Sequence, residues 1–346
     1  MTILVAGLTL GPMLGAGHYG KVYIANDPVH GQVAVKVMEH QPGEPDLDWH
    51  VRRDGLLREA QRLSAATHRN VVQVYGCMEA PDRESICFTM RLCPGGSLQA
   101  TFDQGPTKLS KVRKIATEVT LGLQALHQRG MLHRDIKPAN ILLDSQGVAL
   151  LGDFGWVTDD IFLGYAQAGG YSDHLAYEAW GTGAASVKTD VWALGMTLYR
   201  LLHGRSWYER QEAPRYRIAD GGFVDSLNWL PHIPAKWRRV IRRMMADNTA
   251  DRYQNCEQLL AAFAALPVGN DWECFVTDDL VSWSRQSGNR IQKVEWKRHG
   301  PRTYDWRAWS EPTTVNGRSR TLGESAHRIG RAASLGQLKK FFADAN

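Results

Sequence analysis

Cysteine is scarce in this chain, and what there is lies badly for cross-linking. The 346 residues hold five: Cys77, Cys87, Cys93, Cys256 and Cys274. The number is odd and no two form a C-x-x-C pair, which argues against a disulfide framework and against a thiolate zinc site. Free thiols in a reducing compartment are the expectation. No stretch approaches the roughly 18 consecutive apolar residues of a transmembrane helix. The first residues, MTILVAGLTLGPMLGAG, are apolar. They lack a basic residue ahead of the apolar run and a small-residue cleavage site, so they read as an opening strand and not as a secretory leader. Internal repeats and low-complexity runs are also missing, which excludes solenoid architectures. These absences lead us to expect a soluble, cytoplasmic protein with no membrane partner.

Composition supplies the complement. A hydrophobic fraction of 43% and a charged fraction of 22% suit a packed globular core. The length allows one large domain and something small beside it. The net charge of +5 is uneven: residues after Asn270 carry 13 basic and 9 acidic side chains. A solvated mixed-charge face is the plain reading of that mild excess, and an acidic partner the second.

Periodicity divides the chain. Thr9–Leu14, Lys21–Asn26 and Gln32–Met38 read as short strands separated by Gly and Pro. His40–Trp49 reads as a turn-rich stretch, and Val51–Ala66 as a helix with Leu56, Leu57, Ala60 and Leu63 in register. Val71–Cys77 and Ser85–Leu92 complete five strands around one helix. Beyond Pro94 helices dominate: Ser110–Arg129, Thr189–Leu202, Ala235–Met245 and Cys256–Leu266, with short strands at Ile141–Leu143 and Ala149–Leu151. A boundary falls near Pro267–Asn270. The remainder holds five of the twelve Trp, with strands at Lys293–Trp296 and Tyr304–Trp309 and a helix near Leu335–Phe342.

Four blocks carry chemistry. Gly15-Ala16-Gly17-His18-Tyr19-Gly20-Lys21-Val22 is a G-x-G-x-x-G-x-V pattern. Glycines let backbone N–H groups pass close over phosphate oxygens. A dinucleotide fingerprint would open a helix at this point, whereas here a strand follows. Val33-Ala34-Val35-Lys36 puts a lysine on a strand among apolar neighbours, where its ammonium needs an anionic partner; Glu59 on the next helix offers one. His133-Arg134-Asp135-Ile136-Lys137-Pro138-Ala139-Asn140 and Gly152-Asp153-Phe154-Gly155 supply two carboxylates and an amide. Such oxygens suit Mg²⁺. Phosphoryl transfer needs that ion and a carboxylate that orients the attacking hydroxyl.

These blocks, in this order, resemble the eukaryotic-type protein kinase family over about residues 8–266. The resemblance implies an α+β, bilobal fold: a five-stranded antiparallel sheet plus one helix over about residues 1–93, then a mostly helical lobe over 94–268. Residues 269–346 would form a small Trp-rich accessory region. ATP and Mg²⁺ are the implied cofactors and proteins the implied substrates. Asp135 would orient the substrate hydroxyl and take its proton, and Lys137 would stabilise the transferring phosphoryl group. Asn140 and Asp153 would hold Mg²⁺. Lys36, paired with Glu59, would bind the α- and β-phosphates. Leu14, Gly15, Gly17, Gly20, Val22 and Ala34 would enclose the nucleotide. Met90 would stand at the back of the pocket, with Arg91 and Cys93 offering backbone groups to adenine. Lys137 in HRDIKPAN points to Ser/Thr over Tyr as acceptor. Arg134 goes with control by a phosphorylated activation loop, for which Thr158, Tyr165, Tyr171 and Ser172 are candidates. Asp190 resembles the Asp that anchors the catalytic loop, and Arg252 the Arg that pairs with Glu178.

The segment Ala176-Tyr177-Glu178 departs from the family's A-P-E, which puts substrate docking and peptide preference in question. Two other function classes remain open: a nucleotide-binding scaffold that signals through its C-terminal region, and a kinase-like small-molecule phosphotransferase. The alternation of aromatic and basic residues in Val294–Trp309 admits a nucleic-acid or peptide-binding face. The plainer expectation is an accessory fold that uses Trp as core.

Overall fold

The computed structural model describes residues 3–5, 8–17, 20–40, 43–79, 85–152, 166–167, 174–210, 214–269, 271–314 and 317–345. The first lobe is an antiparallel sheet of β1 (Ile3–Val5), β2 (Leu8–Gly17), β3 (Gly20–Asp27), β4 (Gly31–Glu39), β5 (Val74–Glu79) and β6 (Ser85–Arg91), in the order β1-β2-β3-β4-β6-β5. The five expected strands are β2 to β6, and β1 adds a sixth at the edge. In β4 the two-residue period sorts side chains to opposite faces. Val33, Val35 and Val37 pack with Leu10, Ala25 and Cys87 on one face. That leaves Ala34, Lys36 and Met38 on the other. Cross-strand register pairs Val22 with Lys36 and Ala34 with Met90.

Helix α1 (Asp46–Ala65) begins five residues earlier than the turn-rich composition of His40–Trp49 suggests. Pro45 stands just outside, where its missing N–H costs nothing, and Asp46 and Asp48 favour the positive end of the helix. The apolar face predicted for this helix is the buried one: Leu56, Ala60 and Leu63 join Met38 and Phe88 in the core.

The second lobe contains α2 (Leu98–Gln104), α3 (Leu109–His127), β7 (Ile141–Leu143), β8 (Ala149–Leu151), β9 (Ala166–Gln167), α4 (Tyr177–Thr182), β10 (Ala184–Ala185), α5 (Val187–Tyr208), α6 (Pro214–Asp220), α7 (Ala235–Met244) and α8 (Cys256–Ala264). Helix α5 is buried almost all round, as a helix at the centre of a domain must be. Two of its donors are satisfied by backbone: Trp192 Nε1 donates to Met245 O at 3.1 Å, and Tyr199 OH to Asn228 O at 2.6 Å. Gly204 breaks its last turn at φ 68°, ψ 166°. A Cβ there would lie 2.4 Å from Gly105 C, so both the conformation and the space demand glycine.

Between the lobes runs Asn70–Gln73, of which Val71–Gln73 was expected as strand but is irregular in fact. Its hydrogen bonds reach both lobes: Gln73 O accepts from Arg91 N of β6, while Asn70 and Val72 bond to β8. Asn70 Nδ2 donates to Ala149 O at 2.9 Å, Leu151 N donates to Asn70 O at 2.9 Å, and Val72 N donates to Leu151 O at 2.8 Å.

The C-terminal region forms a five-stranded antiparallel meander, β11 (Glu273–Val276), β12 (Leu280–Ser287), β13 (Arg290–Arg298), β14 (Tyr304–Pro312) and β15 (Arg320–Glu324), followed by α9 (Arg331–Asp344). Only β13, β14 and α9 were anticipated. Trp272, Trp283, Trp296 and Trp306 are buried, and Trp309 is half-buried. Trp272 and Trp283 meet Phe342 of α9 edge-on at 5.3 and 5.1 Å. Tryptophans of the sheet also touch the second lobe: Trp283 Nε1 donates to His232 Nδ1 at 2.9 Å, and Trp296 lies 6.3 Å from Trp207. The tryptophans therefore serve packing, and the sheet shares one core with the helical lobe. Among the described residues, no helix is long and apolar enough to cross a membrane.

Candidate active site

The His133–Asn140 loop enters between α3 and β7, and its shape is imposed by one carboxylate. Asp190, in the first turn of α5, is fully buried. It accepts from His133 N at 3.0 Å, Arg134 N at 2.9 Å and the His127 ring at 2.8 Å. Burial works to raise the Asp190 pKa. The hydrogen bond from His127, the nearby His127 and His133 rings and the backbone N–H prevail and hold it below the ordinary value. Arg134 sits at φ 63°, the only positive φ at a non-glycine residue among those described. Such a conformation costs of order 1 kcal/mol or more and persists where its surroundings over-determine it. Here the two consecutive N–H groups on Asp190 do so.

Asp135 follows directly, with 3% of its surface exposed. Lys137 Nζ lies 2.8 Å from its Oδ2, and Asn140 Nδ2 donates both to Oδ2 and to Asp135 O at 2.8 Å. Both cationic and amide donors thus fix one carboxylate oxygen. Asn140 donates from Nδ2, and among the described residues no donor reaches its Oδ1. The His133 ring donates from Nε2 to Gly152 O at 3.1 Å and accepts at Nδ1 from Asp135 N at 3.4 Å. Gly152 N donates to Asn140 O at 2.9 Å. The loop is thereby tied to the residue that immediately precedes Asp153.

On the first lobe, Ala34, Lys36, Val22 and Met90 share the sheet face opposite the Val33–Val35–Val37 cluster. Gly20 has φ +136°, and a Cβ would meet Val37 O at 2.2 Å, so only glycine lets β3 start so close to β4. Leu14 is exposed at the tip of β2, beside Gly15. At the connection between lobes, Arg91 N donates to Gln73 O at 2.9 Å. The Arg91 guanidinium pairs with Asp144 at 3.1 Å. The Arg91 carbonyl faces the Cys93 thiol at 3.9 Å. Burial pushes that thiol up to about 11, so Cys93 is no nucleophile near neutral pH.

Glu178 and Arg252 form a bidentate pair at 2.7 and 2.6 Å, with Arg252 also donating to Ala246 O and Lys188 O. Tyr177, where the family has proline, is the first residue of α4. Proline is tolerated at that position but not required. Beside it lies a pair that carries no signal in the residue pattern. The buried Arg200 donates to His174 Nε2 at 2.8 Å and lies over the rings of Phe102 at 4.2 Å and Tyr208 at 5.0 Å. Burial, then the Arg200 and Lys137 charges, drives the His174 pKa well below its ordinary value, and the ring is neutral.

Several expectations fall outside the described residues: Asp153, Phe154, the candidate hydroxyls Thr158, Tyr165, Tyr171 and Ser172, and the side chain of Glu59. Asp135, Lys137 and Asn140 are brought together as expected. Residues that motif reading passed over are His127, His133 and Asn70. Each works by bonding backbone or a buried carboxylate, which leaves no spacing signal. Among the described residues no group of three or more His, Cys, Asp or Glu could hold a metal ion. The Asn140 amide oxygen is a hard donor of the kind Mg²⁺ takes.

Comparison with known proteins agrees with this geometry. The family model described as protein kinase domain matches residues 8–263. Serine/threonine-protein kinase ssp1 of Schizosaccharomyces pombe is 29% identical over 259 residues, covering 69% of this chain and 39% of that protein. The DNA damage-responsive serine/threonine-protein kinase RqkA of Deinococcus radiodurans is 29% identical over 280 residues, covering 78% and 41%. Mitogen-activated protein kinase kinase kinase 3 of Homo sapiens is 30% identical over 259 residues, covering 72% and 40%. The matched segments thus span about two-fifths of these relatives' length.

Proposed function

The chain belongs to the protein kinase family, and from that premise we propose that it transfers the γ-phosphoryl group of ATP, with Mg²⁺, to serine or threonine hydroxyls of protein substrates, its own among them. One observation carries the reading: a buried carboxylate, Asp135, fixed by Lys137 and Asn140 on a turn that Asp190 holds in a costly conformation. Structure of that kind is kept where atoms must be aimed.

In this reading Asp135 accepts the hydroxyl proton and aligns the oxygen for attack. The oxygen–phosphorus bond to the acceptor forms as the bond to the leaving diphosphate breaks, so the acceptor proton ends on Asp135 and the charge moves to the diphosphate. Lys137, 2.8 Å from Asp135, offsets charge on the transferring group. Asn140 Oδ1 and Asp153 hold Mg²⁺, which neutralises phosphate charge. Lys36, paired with Glu59, grips the α- and β-phosphates under Gly15, Gly17 and Gly20. Leu14, Val22, Ala34 and Met90 form the apolar walls, while the Arg91 carbonyl and the Cys93 backbone meet adenine. Residues 1–268 are the kinase domain and 269–346 an accessory module. Work in the cytoplasm accords with five cysteines that are all free. The module's basic excess favours an acidic partner, nucleic acid or protein. Burial of four of its tryptophans weighs against base stacking.

The test is to incubate the protein and its Asp135→Asn variant with labelled ATP and Mg²⁺ and to map the label by mass spectrometry. Label on serine and threonine in the unaltered protein alone is the expected result. Label confined to tyrosine, or none on any protein acceptor while ATP still binds, would overturn the proposal.

A further inference from the structure

The seam between the helical lobe and the C-terminal sheet forms a cavity of about 550 Å³ that opens to solvent. That volume lies in the range of small-molecule sites, roughly 300–1,000 Å³. Its wall comes from both sides: Trp207 from the end of α5 and Arg210 just beyond it, Trp296, Arg298 and Tyr304 from β13 and β14, and Arg331 from the start of α9. Arg210 reaches across the seam. Its Nη2 donates to Thr277 O, its Nε donates to Ser206 O at 3.1 Å, and its guanidinium lies 5.6 Å from the Trp207 ring. Arg298 donates from Nε to Gly300 O at 3.2 Å. Neutral carbonyls therefore hold two of the three guanidiniums in position, and among the described residues none of the three forms an ion pair.

Elsewhere on the sheet, charges find opposite partners: Arg307 with Glu295 at 2.8 Å and Lys293 with Glu311 at 2.6 Å. At the seam the like charges face one another. Burial lowers the Arg210 pKa, Asp278 opposes the shift, and Arg298 and Arg331 add to it. Asp278 and Asp279 also line the cavity, so three cations meet two carboxylates without pairing to them. The three guanidiniums are exposed at the cavity rim, and like charges gathered there repel one another unless an anion joins them. Planar guanidiniums with free N–H groups match phosphate oxygens two at a time.

We propose that this seam cavity binds a phosphate-bearing small molecule through Arg210, Arg298 and Arg331, and that the bound anion clamps the C-terminal module onto the catalytic lobe. The site is separate from the nucleotide cleft, and the proposal does not depend on the reaction carried out there. A ligand with two linked phosphates suits it better than a single phosphate, because the arginines come from three separate segments around a cavity larger than one phosphate fills.

The experiment uses the full chain with a non-hydrolysable ATP analogue and Mg²⁺ at saturation, which occupies the nucleotide cleft. Inorganic pyrophosphate is then titrated by calorimetry, and thermal melts are followed in parallel. One further site and a rise in melting temperature are expected. Arg298→Gln with Arg331→Gln, both on exposed side chains, should weaken binding at least tenfold. Asp278→Asn, which removes a competing carboxylate, should tighten it several-fold. ADP in place of pyrophosphate tells the sources apart: equal affinity assigns recognition to the phosphates alone, and tighter affinity adds a nucleoside. Absence of pyrophosphate binding, or binding that neither set of substitutions changes by more than about twofold, would overturn the proposal.

Discussion

The His133–Asn140 loop and the C-terminal sheet are fastened to the same helical lobe by opposite means. The loop hangs on a buried carboxylate, Asp190, which takes two backbone N–H groups and one imidazole. The sheet hangs on rings: Trp272, Trp283, Trp296 and Trp306 are buried, and only single hydrogen bonds such as Trp283 Nε1 to His232 fix their orientation. Hydrophobic burial is non-directional and stabilises in proportion to area. A hydrogen-bonded charge gains little net stability but fixes atoms to within fractions of an ångström. The site that must aim a proton acceptor uses the directional device. The module that must only stay attached uses the area device.

Substitutions at each place should separate the two. Asp190→Ala leaves buried donors without an acceptor, and we expect a loss of about 3–5 kcal/mol together with loss of phosphoryl transfer. Urea denaturation and an activity assay on the same preparation check both. A stable, active Asp190→Ala protein would break the comparison. Trp283→Ala should cost about 3 kcal/mol through its cavity. In the fraction that remains folded, transfer rate should stay close to the original, because no catalytic-loop hydrogen bond is touched.

Acid should loosen the module side. His203 donates from Nδ1 to Tyr199 O and accepts at Nε2 from Leu230 N; His232 accepts at Nδ1 from Trp283. Burial pulls both pKa values from 6.5 to about 3, with neighbouring Arg238 adding to both and His203 also depressing His232. The folded state thus binds fewer protons than the unfolded state between these values. The stabilisation is fully present above pH 6.5 and drains away as pH falls toward 3, by about 1.4 kcal/mol per pH unit for each histidine at most. Melting temperatures from pH 7 to pH 4 measure the slope. A His232→Asn variant, neutral throughout, should show a shallower one, and an unchanged slope would remove His232 from the account. Smallest of all, Arg307→Ala breaks an exposed pair with Glu295 and a ring contact with Trp309, and should shift stability by about 1 kcal/mol.

The sequence made the catalytic lobe pair legible because its signals are local. Strand alternation around Val33–Lys36, the apolar face of α3 and the HRD block each lie within one element. What escaped depends on distant residues. The start of α1 at Asp46 was masked by the turn-forming Pro42, Gly43 and Pro45, although Pro45 and the two aspartates are a helix-start signal. Strands β11, β12 and β15 carry short, interrupted alternation. The Ser287-Gly288-Asn289 turn, with Gly288 at φ 59°, was the one local cue that β12 and β13 form a hairpin. In the site, Asp135, Lys137 and Asn140 were readable from their motif. The buried Arg200–His174 pair was not, since its partners come from α5 and from the segment before α4, 26 residues apart.

The most direct test of the central claim compares single-turnover phosphoryl transfer by the unaltered protein and by Asp135→Asn at saturating ATP and Mg²⁺. Loss of a positioned general base should slow transfer by about 10²–10⁴-fold. ATP affinity should change by less than about twofold, because Asp135 aligns the acceptor and not the nucleotide. Equal transfer rates in the two proteins would contradict the assignment of the chemistry to this carboxylate.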